Sequence, residues 1–141
     1  MPPDDLEIST DPARIDVDMV YRFLSASYWA QGRSRETVER SIANSTAFGA
    51  YSSGRQVAFA RVITDRAVFG YLADVFVVPE HRGHGVAKAL MRAILSHPEL
   101  AGLKLILLRT RDAHGLYTQF GFETATNPSE LMVLTRNTAS V

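Results

Sequence analysis

Four consecutive residues, Arg82, Gly83, His84 and Gly85, stand between a long apolar run and a segment with helical periodicity. The first amides of a helix have no partners within the helix, and the helix dipole places about half a positive charge there. The two glycines let the backbone approach an anion closely and direct several N–H groups toward it, and Arg82 can add a charge-assisted contact. The turn is therefore predicted to bind a pyrophosphate group.

The spacing of these residues differs from that of two common nucleotide-binding motifs. It is not G-x-G-x-x-G, and the acidic residue expected about 20 positions later is missing. It is not a P-loop either, because no Gly-Lys-Ser/Thr follows. The turn is therefore predicted to be neither a dinucleotide-binding G-x-G-x-x-G turn nor a P-loop.

Hydrophobic periodicity indicates which elements position the turn. Apolar and polar residues alternate over residues 6–11, which predicts a first strand. Helical spacing then predicts two helices, the first with Asp18 as its N-cap and Gly32 beyond its end, and the second over residues 34–44.

The period then changes to that of strands. The runs "AFGAYS" and "QVAFARVIT", joined at Ser53-Gly54, predict a hairpin. Aromatic and β-branched residues over 67–78 predict a central strand, which ends at Pro79 because proline cannot donate to a sheet ladder. This strand leads directly into the glycine turn.

Three further elements are predicted after the turn. Apolar residues recur on one helical face over 86–97, and the run 103–108 suits a strand that is covered on both faces. A short helix follows, with Asp112 as its cap and Gly121 as its terminator, and residues 130–135 predict the last strand. Asp112 could instead be catalytic.

The composition excludes several classes of protein. Fifteen basic residues balance fifteen acidic ones, so no overall charge would draw the chain to nucleic acid or to an anionic membrane. Cysteine is absent, which excludes disulfides and a cysteine nucleophile, and the four histidines lack a metal-ligand spacing, so no metal is expected. No linker or repeat interrupts the chain, and we expect one domain over residues 1–141.

The start of the sequence, "MPPDDLEIST", is acidic and lacks the basic and then apolar layout of a signal peptide. Nowhere do about 18 apolar residues run together, as a membrane-spanning helix requires. We therefore expect a cytoplasmic protein with neither a membrane nor a nucleic-acid partner.

Two motifs resemble those of one family, the GNAT superfamily of acyl-CoA N-acyltransferases. Its pyrophosphate motif, R/Q-x-x-G-x-G/A, is matched by the six residues "RGHGVA" that begin at Arg82. Downstream, "LYTQFGF" resembles the family's Tyr-x-x-x-Gly-Phe and puts Tyr117 in the position of the family tyrosine. The order of predicted elements extends the resemblance over almost the whole chain, which is identified as a member of this superfamily.

The resemblance implies an α/β (α+β) fold with a mixed sheet of six to seven strands and about four helices. Two strands would splay apart to hold acetyl-CoA as co-substrate, with a bulge supplying the opening. The pantetheine arm would bind the backbone of the central strand, and the pyrophosphate would bind the loop amides. The implied cofactor-binding residues are Phe76, Val77, Val78, Arg82, Gly83, His84, Gly85, Val86, Ala87 and Lys88.

The resemblance also implies direct attack of an amine on the thioester, with no acyl-enzyme. Tyr117 would be the acid that protonates the leaving thiolate, and the alternative is that it packs in the core. Asp74 is the candidate base, because a carboxylate within "YLADVF" is unusual. Asp74 could pair with Arg61 instead, and many similar proteins use a chain of waters as the base.

The segment between the first two helices walls the acceptor pocket in similar proteins. Tyr28, Trp29 and Arg33 are therefore the candidate substrate-binding residues, with ordinary packing as the alternative. The implied function is an N-acetyltransferase that moves an acetyl group from acetyl-CoA to a primary amine of a small molecule or peptide in a ternary complex. The alternative function is a non-catalytic CoA-binding sensor or partner module. A homodimer is compatible with the resemblance, since many similar proteins pair through late strands.

Overall fold

The structure, a computed structural model, describes residues 2–136. Its strands are β1 (Glu7–Ser9), β2 (Thr46–Ser52), β3 (Arg55–Thr64), β4 (Phe69–Val77) and β5 (Leu105–Leu108). Its α-helices are α1 (Val17–Ser25), α2 (Arg35–Ala43), α3 (Val86–Ser96) and α4 (His114–Thr118). Within the described part of the chain the strands form one mixed sheet in the order β1-β2-β3-β4-β5, where β4 and β5 are parallel and the other pairs are antiparallel.

The hairpin of β2 and β3 turns at the predicted residues. Ser53 and Gly54 both have positive φ, 54° and 73°, as a two-residue hairpin turn that matches the twist of its strands requires. The predicted hairpin is confirmed.

Helices α1 and α2 cover one face of the sheet. The N-cap of α1 is Asp16, whose carboxylate accepts a hydrogen bond from the Met19 N–H at 3.1 Å, so the prediction of Asp18 as the cap is wrong. Asp18 lies in the first turn of the helix and forms an ion pair with Arg35 on α2. The core on this face is formed by Val20, Leu24, Val38, Ile42, Phe59 and Phe76.

Helices α3 and α4 cover the other face. The amphipathic pattern of α3 is confirmed, because Leu90, Met91 and Ile94 are almost fully buried. These side chains pack against Phe48 of β2 and against Tyr117 of α4 in one cluster. The sheet is therefore buried between two helical layers, and the turn after β4 passes from the sheet to α3.

β4 contains the predicted bulge. Phe59 pairs with Phe76 and Arg61 pairs with Ala73, so Ala60 of β3 stands opposite two residues of β4, Asp74 and Val75. Asp74 has φ 55°, a left-handed conformation that aspartate tolerates better than most residues. The bulge bends β4 shortly after its pairing with β5 has ended.

The pairing of β4 with β5 stops at Leu72 and Leu108, and the remainder of β4 has no partner on that side among residues 2–136. β5 is less covered than predicted: Leu105 is 56% exposed, because β5 is an edge strand in the described part of the sheet. The two strands therefore leave an opening beside residues 73–77.

The sheet has five strands in residues 2–136, not six to seven. The predicted last strand, 130–135, is wrong: a 3₁₀ turn spans Pro128–Glu130, and the residues that follow pair with no strand of the described chain. An apolar run becomes a strand only where a neighbour takes its backbone hydrogen bonds, and here Met132 stays 91% exposed. No helix of residues 2–136 has the length and apolar character needed to cross a membrane.

Candidate active site

The glycine loop has the backbone geometry of an anion site. Gly83 and Gly85 have φ 79° and 77°, and Gly85 is the N-cap of α3 with no capping side chain. A Cβ on Gly83 would meet no atom within 4 Å, so the left-handed backbone, and not lack of space, requires glycine there. The N–H groups of the first turn of α3, from Val86 to Lys88, have no acceptors within the helix and remain available to a ligand.

Arg82 fixes this loop to the end of β4. Its Nε donates a hydrogen bond to the Val77 carbonyl oxygen at 2.9 Å. Both backbone groups of Val78 are engaged: its N–H donates to Val57 O at 2.9 Å, and its carbonyl accepts from the His81 N–H at 3.0 Å. Val78 was implied as a cofactor-binding residue through its backbone, but its N–H is therefore not free to bind the pantetheine arm. Because neighbouring residues of a strand direct their N–H groups to opposite sides, that of Val77 is directed toward the opening.

A cavity of about 600 Å³ borders the loop and the first turns of α3. Its lining includes three cationic side chains, Arg82, Lys88 and Arg92, and no carboxylate. This charge suits a pyrophosphate, so the residues present fit the group that the motif predicts. Arg92 was not predicted, although its place one helical turn after Lys88 is a recognisable signal. The side chain of His84 lines neither this cavity nor the larger one beside it.

The larger cavity, of about 930 Å³, occupies the opening between β4 and β5. It adjoins the smaller one, since four residues line both: Val77, Arg82, Ala87 and Leu116. All five of the predicted catalytic and acceptor residues line this cavity, namely Tyr28, Trp29, Arg33, Asp74 and Tyr117. The fold therefore brings together residues from the α1–α2 connection, the bulge of β4 and α4.

Asp74 is the centre of a hydrogen-bond network in this cavity. One carboxylate oxygen, Oδ2, accepts from Arg61 Nε at 2.7 Å and from an Arg33 guanidinium nitrogen at 2.8 Å. The other, Oδ1, accepts from Trp29 Nε1 at 2.9 Å. Asp74 is 7% exposed, and the pairing with Arg61 that the sequence left open is the one observed.

The network sets the charge of Asp74. Burial by itself raises the pKa of this carboxyl, but the hydrogen bond and charge of Arg61, with Arg33 and Trp29, outweigh it and hold the pKa below its ordinary value of 3.8. Asp74 is therefore an anion at neutral pH, with donors on both oxygens.

Tyr117 has both of the predicted environments. Its ring is buried and packs edge to face on Phe122, with centroids 5.9 Å apart. Its hydroxyl has no hydrogen-bond partner among residues 2–136. Burial, and secondarily the Tyr28 phenol, raise the pKa of Tyr117, so its hydroxyl keeps its proton at neutral pH. Packing in the core and facing the cavity are compatible here.

Asp112 does not cap α4. The N-cap position is held by Ala113, which has no side chain able to cap, and the Ala113 N–H donates to Thr110 Oγ1 at 2.9 Å. Asp112 is exposed and lines the larger cavity. The prediction of a capping role is therefore wrong.

Sequence reasoning missed two cationic residues of the cavity, Arg109 and Arg111. The Arg111 guanidinium lies over the ring of Tyr28, 3.6 Å from its centroid, and Tyr28 packs edge to face on Trp29 at 5.2 Å. A signal was present: both arginines follow an apolar strand that is parallel to its neighbour, and ligands bind beyond the carboxyl ends of parallel strands.

No three His, Cys, Asp or Glu side chains among residues 2–136 are grouped in a way that could hold a metal ion. The expectation of a metal-free protein stays a prediction.

Comparisons with known proteins agree with one another. The domain family described as "Acetyltransferase (GNAT) domain" matches residues 43–124. A curated protein of Gibberella zeae, named as a "putative acetyltransferase", is 31% identical over an alignment 134 positions long; the match covers 78% of this chain and 75% of the relative. A crystal structure from Xanthomonas campestris pv. campestris, described as a "putative acetyltransferase belonging to the GNAT family", is 47% identical and covers 96% of both chains with a TM-score of 0.92.

A third protein is similar in fold alone. It is a protein from Clostridium acetobutylicum, described as a "predicted acetyltransferase", whose crystal structure was determined with acetyl-CoA. It is 15% identical, with a TM-score of 0.69 over 92% of this chain and 96% of that one.

Proposed function

This chain belongs to the GNAT acetyltransferase family, and from that premise we propose that it transfers an acetyl group from acetyl-CoA to a primary amine of a small molecule or peptide. One observation carries the proposal. The cavity that opens beside the bulged strand reaches both the glycine loop, through Arg82 and Ala87, and the side chain of Tyr117. A cofactor held on the loop would extend along this opening toward a proton donor.

The cofactor-binding part of the proposal uses backbone amides and cationic side chains. The free N–H groups at the start of α3, with Arg82, Lys88 and Arg92, would hold the pyrophosphate. The N–H of Val77 is directed toward the opening, where it would polarise a carbonyl oxygen. When bound, acetyl-CoA supplies a thioester as the acyl donor. The protein from Clostridium acetobutylicum, which shares the fold, was crystallised with acetyl-CoA, and this supports the assignment.

Tyr117 has the properties of the acid in this reaction. Tyr117 lines the cavity, its hydroxyl makes no competing hydrogen bond among residues 2–136, and its raised pKa keeps the proton in place near pH 7. In the reaction a C–N bond forms as the C–S bond breaks, and Tyr117 donates its proton to the departing sulfur. A thiolate is a fair leaving group, so this acid contributes a moderate part of the rate.

We propose that Asp74 positions the acceptor side of the cavity and is not the base. A good general base has a pKa near the working pH, whereas the pKa of Asp74 is held below 3.8 by donors on both of its oxygens. The proton of the amine would leave instead through water in the open cavity. This is a change from the sequence-based expectation for Asp74.

The test compares binding with turnover. Acetyl-CoA should raise the melting temperature, and NAD and ATP should not, because a ligand that binds only the folded state stabilises it. Free thiol should then be released from acetyl-CoA when amines are supplied. Equal shifts with NAD would contradict the assignment of CoA. A shift with acetyl-CoA but no thiol release with any amine would favour the non-catalytic binding module.

A further inference from the structure

The larger cavity is rich in arginine although the chain as a whole is neutral. Five arginines and two aspartates line it, and no lysine, glutamate or histidine does. One of the five, Arg82, belongs to the cofactor loop. The acceptor side therefore has four arginines and two aspartates, namely Arg33, Arg61, Arg109 and Arg111 with Asp74 and Asp112.

Pairing within the protein leaves this excess of positive charge in place. Arg33 and Arg61 share the single carboxylate of Asp74, so that group of three keeps a net positive charge. Arg109 and Arg111 are exposed and form no ion pair with any residue of the described range 2–136. Asp112, which also lines the cavity, forms none either.

Arg111 is held in a position to bind an anion. Its guanidinium lies 3.6 Å from the centroid of the Tyr28 ring, and Tyr28 packs on Trp29, which donates to Asp74. Contact with the ring uses the face of the guanidinium, while its N–H groups lie in the plane and point away from the centre of the group. They make no hydrogen bond within residues 2–136. A planar cation fixed in this way can bind carboxylate or phosphate oxygens in pairs.

We propose that the acceptor is an amine that also carries a carboxylate or phosphate group, and that Arg111 binds this anion. The inference rests on the proposed acetyltransferase function and specifies its substrate class. The excess positive charge repels polyamines and basic peptides, and the anion of the acceptor would compensate it.

The same charge assists the chemistry. An amine attacks only in its neutral form, and neighbouring cations lower the pKa of an ammonium group. The anion site and the acid lie in the same cavity, since Arg111, Tyr28 and Tyr117 all line it. An acceptor bridging the two would place its amine beside the proton donor.

The test uses pairs of amines that differ in the anion. Glycine is compared with glycinamide for the carboxylate, and O-phosphoethanolamine with ethanolamine for the phosphate, by release of CoA from acetyl-CoA. Calculated for the concentration of neutral amine at the assay pH, the kcat/KM of the member with the anion should be about tenfold higher or more, and added salt should reduce the difference. The two pairs show which anion is preferred.

Arg111→Gln should remove that preference, lowering kcat/KM about tenfold for the anionic members only. Arg111→Lys should restore part of it, because lysine keeps the charge but not the planar group. Affinity for acetyl-CoA should not change in either variant. Arg55→Gln is the matched control, an exposed arginine that lines neither cavity, and it should change nothing.

Equal rates for neutral and anionic members overturn this inference and leave the acetyltransferase function standing. If neither amine of either pair is acetylated, the amines are titrated into the CoA complex by calorimetry. Tighter binding of the anionic members supports the inference, and equal or absent binding overturns it. Absence of acetyl-CoA binding would contradict the proposed function itself. The same titration of the free protein would then test the anion site.

Discussion

The cofactor side and the acceptor side of the site are built in different ways. The cofactor side is one continuous segment, from Arg82 to Lys88, and its main ligands are backbone N–H groups. The acceptor side consists of side chains from separate elements, connected through one carboxylate. Asp74 accepts from Trp29 and Arg33, which precede it by 45 and 41 residues.

This difference determines which substitutions disrupt each side of the site. A backbone-built site depends on the conformation of a few residues, so one change that alters φ or adds charge removes it. A side-chain network depends on several partners that neutralise one another, and losing one leaves the others buried without compensation. The two sides should therefore respond differently to substitution, the first in cofactor binding and the second in stability.

Gly85→Asp should have the largest effect, complete loss of acetyl-CoA binding measured by calorimetry. The substitution puts a negative charge at the N-terminus of α3 and a side chain where a phosphate must approach. Gly54→Asp is the matched control, because Gly54 also has a positive φ, 73°, but lies in the hairpin turn. Loss of binding in both variants, or in neither, would break the contrast between the two sides.

Tyr117→Phe should lower kcat by about 10² to 10⁴, the range for a lost general acid, and leave acetyl-CoA affinity unchanged. The ring retains its contact with Phe122, so folding should be normal. Tyr71→Phe, at another tyrosine of the same cavity, should have little effect. Unchanged turnover would assign Tyr117 to core packing, and a loss of affinity alone would make it a cofactor-positioning residue.

Asp74→Asn should lower the free energy of unfolding by about 3 kcal/mol, because it leaves two arginines without their shared anion. Asparagine tolerates the left-handed φ of this position, so the change reports on charge more than on backbone strain. Denaturant unfolding at pH 7 measures it. Glu7→Gln, which breaks the exposed pair with Arg14, should lower the free energy of unfolding far less than Asp74→Asn does, because water and salt screen an exposed pair. Similar losses in the two variants would mean that the buried network is no stronger than a surface pair.

The smallest effect is a pH dependence. The pKa of Asp74 is lower in the folded protein than its ordinary 3.8, so at low pH the unfolded chain binds the proton more readily than the folded one. The stabilisation is therefore complete above about pH 4 and is lost as the pH falls through the folded-state pKa. Unfolding curves of the wild type and of Asp74→Asn should converge in that range. A constant difference down to low pH would show that the effect is not one of charge.

Much of the fold was readable from the sequence because it depends on local preferences. The hairpin at Ser53-Gly54 and the helix face of α3 are confirmed. The bulge in β4 is also present, but it was implied by the resemblance to the family and not by local preferences. The predictions were wrong where the structure depends on a contact with another element of the fold. Asp18 has the right chemistry for a cap but forms an ion pair with Arg35 on another helix. Residues 130–135 have the composition of a strand but lack a strand partner in the described chain.

The sequence by itself determined the left-handed glycine loop at the start of α3, because consecutive residues specify their own backbone conformation. Only the tertiary structure decided that Asp74 bonds to Trp29, Arg33 and Arg61, and that Arg111 lies on Tyr28. The hydrogen bonds of Asp74 join it to residues that are 13 to 45 positions away in the sequence. The sequence supplies their charges and donors, but only the tertiary structure brings the α1–α2 connection, the sheet and the residues after β5 into contact.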